Sequence, residues 1–150
     1  MKIANSNKGF TLIELMMVIA IIGILSAVVL TSLNNSRIKG YDSKIKQQLL
    51  GFRRAAEIYF TNQSPLTYGA PVLDCVSGMF ADTSAVNGNP NAYLQITGVN
   101  PAPTIVCGAT ASQYAVKASL PGGGGWCVDY KGTSRSILAG QVAGSATFCP

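Results

Sequence analysis

The sequence predicts an α+β fold, with one long N-terminal helix, hydrophobic in its first half and amphipathic in its second, packed on a small antiparallel β-sheet. Three observations predict it. From Phe10 to Leu30 the chain is apolar except for Thr11, Glu14, Gly23 and Ser26. Apolar residues then recur at Ile38, Tyr41, Ile45, Leu49, Phe52, Ala56 and Tyr59, in steps of three and four that share one helix face. The last third holds strand-like segments separated by turn residues.

Met1 to Gly9 is short, polar and basic, with Lys2 and Lys8. As a helix, Phe10 to Leu30 is roughly 32 Å long, enough to cross a hydrocarbon core of ~30 Å. Thr31-Ser32-Leu33-Asn34-Asn35-Ser36 is a polar stretch of weaker helix formers. In the amphipathic half that follows, Lys39, Lys46 and Arg54 lie off the apolar stripe, and Asp42 and Lys46 are spaced for an i,i+4 ion pair. The stripe itself reads as core, the face that docks a sheet. Ser64-Pro65 ends the helix, because a proline there lacks an N–H and clashes with the preceding turn. Unbroken from Phe10 to Phe60, the helix is roughly 77 Å long. That exceeds the size of the remaining domain, so about half of it is expected to protrude.

Thr61 to Pro103 is rich in proline, glycine and asparagine and reads as loop, with a short strand expected at Tyr93 to Thr97. Gln113 to Leu120, Trp126 to Tyr130 and Ser134 to Leu138 read as a three-stranded antiparallel meander. Its turns are Pro121-Gly122-Gly123-Gly124-Gly125 and Lys131-Gly132-Thr133. The glycine run is a hairpin tip, not a phosphate loop: no Lys-Ser or Lys-Thr follows it and no helix opens after it. Trp126, beside Cys127, is expected to pack over a disulfide.

Only 11% of residues are charged, less than half the share usual in a soluble domain (about 25%). With one concentrated apolar run, that argues for a membrane segment or a helix buried among copies of itself. Eleven basic and six acidic side chains leave +5; without Lys2 and Lys8 the balance is nine minus six, or +3. That surplus is too small for a dedicated nucleic-acid binder. Lys44, Lys46, Arg53 and Arg54 read first as a solvated or subunit-contacting helix face, with DNA contact a weaker alternative. The chain has no histidine, and its acids are not clustered. The residues therefore form no catalytic constellation and call for no cofactor or metal.

Cys75, Cys107, Cys127 and Cys149 are even in number, widely spaced and remote from the apolar run. That pattern fits two disulfides formed outside the cytoplasm. A zinc site is the competing reading, but it usually shows paired C-x2-4-C knuckles, which are absent. Of three connectivities, the expected one joins Cys75 to Cys107 and Cys127 to Cys149, the second pair tying the C-terminal tail to the strand at Trp126 to Tyr130.

The segment Lys8-Gly9-Phe10-Thr11-Leu12-Ile13-Glu14-Leu15 resembles the leader and N-methylation signature of type IV pilins and of the pseudopilins of type II secretion and competence systems. The resemblance is close over Lys8 to Leu30 and general in architecture thereafter. It implies that a membrane-embedded prepilin peptidase cuts between Gly9 and Phe10 and methylates the new terminus of Phe10. It implies a leader at 1–9, a membrane and filament-core helix at 10–33, and an extracytoplasmic head at 34–150. The head would comprise a helix at 34–63, a loop-rich region and a meander at 113–138. The function implied is that of a structural, non-enzymatic subunit of an extracellular filament. Its partners would be further copies of itself, the prepilin peptidase, the assembly ATPase and platform protein, and, before assembly, the inner membrane, crossed once with the N-terminus inside.

Glu14 has a physical reading beside the family one. A carboxylate in a membrane helix costs a few kcal/mol at the bilayer centre and less near its edge. Cleavage would create a compensating charge, the ammonium of Phe10. A neighbour's ammonium pairing with Glu14 would then set subunit register.

Two other readings of the N-terminus compete. A secretory signal peptide would be cut near Leu25-Ser26-Ala27, but the apolar run continues past Ala27 and Glu14 lies inside the supposed apolar core. A signal anchor carrying an extracytoplasmic binding module needs no polymer. The flanking charges, with Arg37, Lys39, Lys44 and Lys46 after the run, would by themselves place the C-terminal region inside the cell. The cysteines and the resemblance place it outside. Many type IV pilins carry a proline at the position of Thr31, where this chain has none. The calcium-site and tryptophan pattern of major type II pseudopilins is also missing, which favours the pilus reading over the pseudopilus one.

Overall fold

A computed structural model describes residues 9–144 and 147–150, and of Thr31 the backbone alone. The expected leader, with Lys2 and Lys8, lies outside the described residues apart from Gly9. The first helix, α1, spans Leu12–Asn62, 51 residues without a break. The fold divides into two compact units, Met1–Arg37 and Ile38–Pro150.

In the first unit α1 passes through Gly23 as regular helix, and no other part of the chain lies near the place a Cβ would occupy there. Its apolar side chains are solvent-facing: Ile13 is 67% exposed, Ile24 68% and Leu30 67%. A helix that is hydrophobic all round has no polar face to give to water, so it requires lipid or other helices.

The second unit has the core. On α1, Ile45, Leu49, Phe52 and Ala56 are fully buried, and they are the middle of the stripe read from the sequence. They pack against a four-stranded antiparallel sheet in the order β1 (Ile105–Ala109), β2 (Tyr114–Ser119), β3 (Gly125–Asp129), β4 (Ser134–Ile137). The fold is therefore α+β. The expected three-stranded meander is β2 to β4, and β1 is an addition. It pairs along β2 from Ile105↔Ala118 to Ala109↔Tyr114. Its other edge meets Val72, which exchanges two backbone hydrogen bonds with Ala109.

The strand expected at Tyr93 to Thr97 does not form. Pro90–Leu94 is instead a short helix, α2, with Asn89 as its N-cap accepting from the Ala92 N–H at 3.2 Å and proline at its start. Both are helix-start signals, and they outweigh the weak strand pattern beyond them.

Alternation along the strands sorts the sheet into two faces. Cys107, Tyr114, Val116, Ala118 and Val128 join the core beneath α1. Ala115, Cys127 and Ile137 pack on the opposite face with Val142 and Cys149 of the tail. Trp126, expected over a disulfide, joins the α1 side, while the neighbouring Cys127 turns to the other face. Its Nε1 donates to Ser134 Oγ at 3.1 Å and its ring lies 5.0 Å from Lys46 Nζ. The Asp42–Lys46 pair gives way to tertiary partners as well: Asp42 Oδ1 accepts from the Gly122 N–H at 3.0 Å, and Lys46 takes the tryptophan face.

Disulfides join Cys75 to Cys107, fastening the loop after α1 to β1, and Cys127 to Cys149, fastening the tail to β3. Beneath the tail, Asp129 is 2% exposed and fully used: Oδ1 accepts from the N–H groups of Lys131 and Thr133, Oδ2 from that of Cys149, each at 3.0 Å. Lys117, 5% exposed, donates from Nζ to the Gly144 carbonyl at 3.1 Å. Buried charges of this kind persist only when hydrogen-bonded.

Candidate functional site

Gly9, Phe10 and Glu14, the residues expected to be processed or to direct assembly, lie within six residues at the start of α1. Gly9 and Phe10 precede the helix and are exposed, Phe10 at 91%. Among the described residues, none beyond its chain neighbours comes within 4 Å of where a Cβ on Gly9 would sit. The described part of the fold therefore leaves room for a side chain at position 9.

Thr11 caps the helix. Its backbone N–H and its Oγ1 both donate to Glu14 Oε2 at 2.8 Å, and the Glu14 N–H donates back to Thr11 Oγ1 at 3.3 Å. This is a capping box, which satisfies N–H groups that a helix start leaves without partners. It also holds a carboxylate at the positive end of the helix dipole. The Glu14 side chain is thus drawn to the N-terminal tip, beside the residue that cleavage would make the terminus. Sequence reasoning gave Glu14 a role and passed over Thr11, although Thr-x-x-Glu before an apolar run is the signature of this cap.

The four cysteines are not part of this site; both disulfides lie in the second unit. Nor do the basic residues of α1 converge on one surface. Arg53 Nη1 donates to the Gly132 carbonyl at 2.6 Å, Lys46 lies over Trp126, and Lys44 Nζ donates to the Thr97 carbonyl on a different flank.

Residues 4–30 match the model of the prokaryotic N-terminal methylation motif. That stretch contains Gly9, Phe10, the Thr11–Glu14 cap and the whole apolar run. The chain is also similar to a type IV major pilin of Neisseria gonorrhoeae, 33% identical over 100 residues. The chain is thus similar to a type IV pilin. A fimbrial protein of Pseudomonas aeruginosa is 28% identical over 94 residues, or 62% of this chain. A type IV major alpha-pilin of Moraxella bovis is 40% identical over 63 residues, covering 41% of this chain and 40% of that one. The gonococcal match covers 63% of this chain and 47% of its relative, and the Pseudomonas match 61% of its relative. The chain thus spans about half the length of the curated relatives it matches. No solved structure gives a significant match.

Proposed function

We propose that the chain is a prepilin, cut between Gly9 and Phe10 by a prepilin peptidase, methylated on the Phe10 amine, and assembled into an extracellular type IV pilus. The apolar half of α1 is held in the inner membrane before assembly and among the same helices of other subunits afterwards. The domains on this reading are a leader at 1–9, the membrane and filament-core helix at 10–33, and the head at 34–150. One observation carries the reading: a lone carboxylate, Glu14, is presented at the tip of a fully exposed apolar helix, four residues from Phe10.

Gly9 fits the role of a cleavage-site residue, since the fold would accept a side chain there and a protease approaching the scissile bond would not. The names of the relatives, a type IV major pilin and fimbrial proteins, support the pilus reading. Processing is tested by intact mass of the chain from its native membrane. The expected mature form begins at Phe10 and is heavier than the plain peptide by one methyl group. A form beginning near Val28 would sink the reading in favour of a secretory signal, and an uncut chain would support a signal anchor. Electron microscopy of sheared surface material then decides the polymer: long filaments containing this chain are expected, and short periplasmic fibres would assign it to a pseudopilus.

A further inference from the structure

The charge on α1 is concentrated beyond the apolar run. Between Arg37 and Arg54 it carries Arg37, Lys39, Lys44, Lys46, Arg53 and Arg54 against Asp42 alone, six minus one, or +5. The whole chain also sums to +5, so every other charge cancels. The Asp42 carboxylate is occupied by the Gly122 N–H.

Among the cations of this stretch, Lys44 lines a cavity. The cavity has a volume of about 190 Å³ and is lined by Lys44, Gln47, Gln48 and Tyr93. Two features build it. The hydrogen bond from Lys44 Nζ to the Thr97 carbonyl pins the ammonium at the rim, and an ammonium has two further N–H donors for a ligand. The Tyr93 ring lies against Gly51, where any Cβ would collide with it, and it forms a wall of the cavity. A cation, two carboxamides and a phenol, with no carboxylate among them, make a donor set suited to an oxyanion.

We propose that this pocket seats the phosphate of an anionic phospholipid headgroup. The proposal rests on the membrane reading above. Lys44 follows Leu33, the last residue of the expected membrane helix, by eleven residues, about three helical turns. Eleven residues of helix rise about 16 Å, so along the chain the lipid headgroup layer is the anionic surface nearest to Lys44. The seat also gives a use to cations on a side of the span where the positive-inside tendency disfavours them.

The test uses the full chain in non-ionic detergent micelles, titrated with short-chain phosphatidylglycerol and followed by the side-chain amide resonances of Gln47 and Gln48. Saturable shifts are expected, with short-chain phosphatidylcholine binding several-fold more weakly. Lys44→Gln should weaken phosphatidylglycerol about fivefold, the worth of one cation at an anionic surface, and Lys131→Gln should leave it unchanged. Equal weakening by Lys131→Gln would mean a diffuse field and would overturn the proposal, as would the absence of saturation. Inorganic phosphate binding as tightly as the lipid would identify a free-anion site and overturn the lipid source. Shifts that grow with protein concentration alone would assign the pocket to a carboxylate of a second copy, which also overturns it. Flotation of the wild-type chain with phosphatidylcholine vesicles tests the apolar anchor separately, so failure of the membrane reading and failure of the pocket give different results.

Discussion

Glu14 serves the helix start within the chain and, on the proposed reading, a neighbour's terminal ammonium in the filament. The capping box separates the two roles. Glutamine can also fill the third helical position of such a box, so Glu14→Gln preserves the cap and removes the charge, whereas Glu14→Ala loses both. Both variants are expected to be processed at Gly9 and to retain the stability of the second unit, whose core contains no residue from this segment. Glu14→Gln is expected to lower filament yield about tenfold or more, since breaking a desolvated ion pair costs several kcal/mol. Normal shedding of filaments by Glu14→Gln cells, measured by immunoblot of sheared material, would refute charge pairing. Asp42 is the contrasting residue. Its spacing from Lys46 is as regular as a helix pair can be, yet its partner is Gly122, 80 residues away. Sequence spacing records local neighbours only, and here a remote backbone donor won.

Among the elements, α1 was legible because it is continuously apolar to Leu30 and then periodic over about six turns, Ile38 to Tyr59, a signal that needs no partner to be seen. β1 was not. Ile105–Ala109 is five residues long, contains Gly108 and follows Pro101-Ala102-Pro103, so its local pattern is weak. It becomes a strand because β2 and Val72 supply hydrogen-bond partners on its two edges. α2 is the reverse case, since Asn89-Pro90 announces a helix start that the strand expectation overlooked.

Among the described residues, the tail after β4 contributes no strand, and it is held over the outer sheet face by the Cys127–Cys149 bond, by Asp129 and by Lys117. Replacing both Cys127 and Cys149 with serine removes a cross-link of 22 residues' separation and should cost about 3 kcal/mol. Denaturant titration under oxidising conditions measures the loss. Amide exchange should quicken in the tail, including Cys149 now substituted by serine, more than in β2 and β3. Uniform quickening across the sheet would show that the tail is integral to the core and not a stapled cover.

At the scale of the whole molecule, the division between Arg37 and Ile38 separates a unit with exposed apolar side chains from one with a closed core. The stability of the second unit should carry a particular pH dependence. Burial raises the pKa of the Tyr114 hydroxyl, and the nearby Glu57 carboxylate raises it further. Tyr68 is raised likewise, first by burial and then by its hydrogen bond to Glu57 Oε1 at 3.0 Å. In the unfolded chain both phenols ionise near the ordinary tyrosine value of about 10. Stability is therefore fully present below about pH 10 and falls as pH rises past it, because the unfolded state sheds protons that the native state keeps. The ceiling is about 1.4 kcal/mol per pH unit for each tyrosine. Urea melts of the full chain between pH 8 and 11, followed by Trp126 fluorescence, should be flat and then decline, with a shallower decline in Tyr114→Phe. A constant stability across that range would contradict the tyrosine–carboxylate arrangement.

The residues by themselves determined that this chain has a membrane-length apolar helix, a match to the N-terminal methylation motif at its start, an amphipathic continuation and a sheet region with turns. Each of these is a property of neighbours in sequence, written in composition or period. Tertiary structure decided which face each strand residue takes, that Trp126 and Cys127 point apart, that Asp129 binds the tail, and that Lys44 and Tyr93 share a cavity. Those outcomes depend on contacts between residues tens of positions apart. The free energy that selects them comes from closing the core and satisfying its buried polar groups.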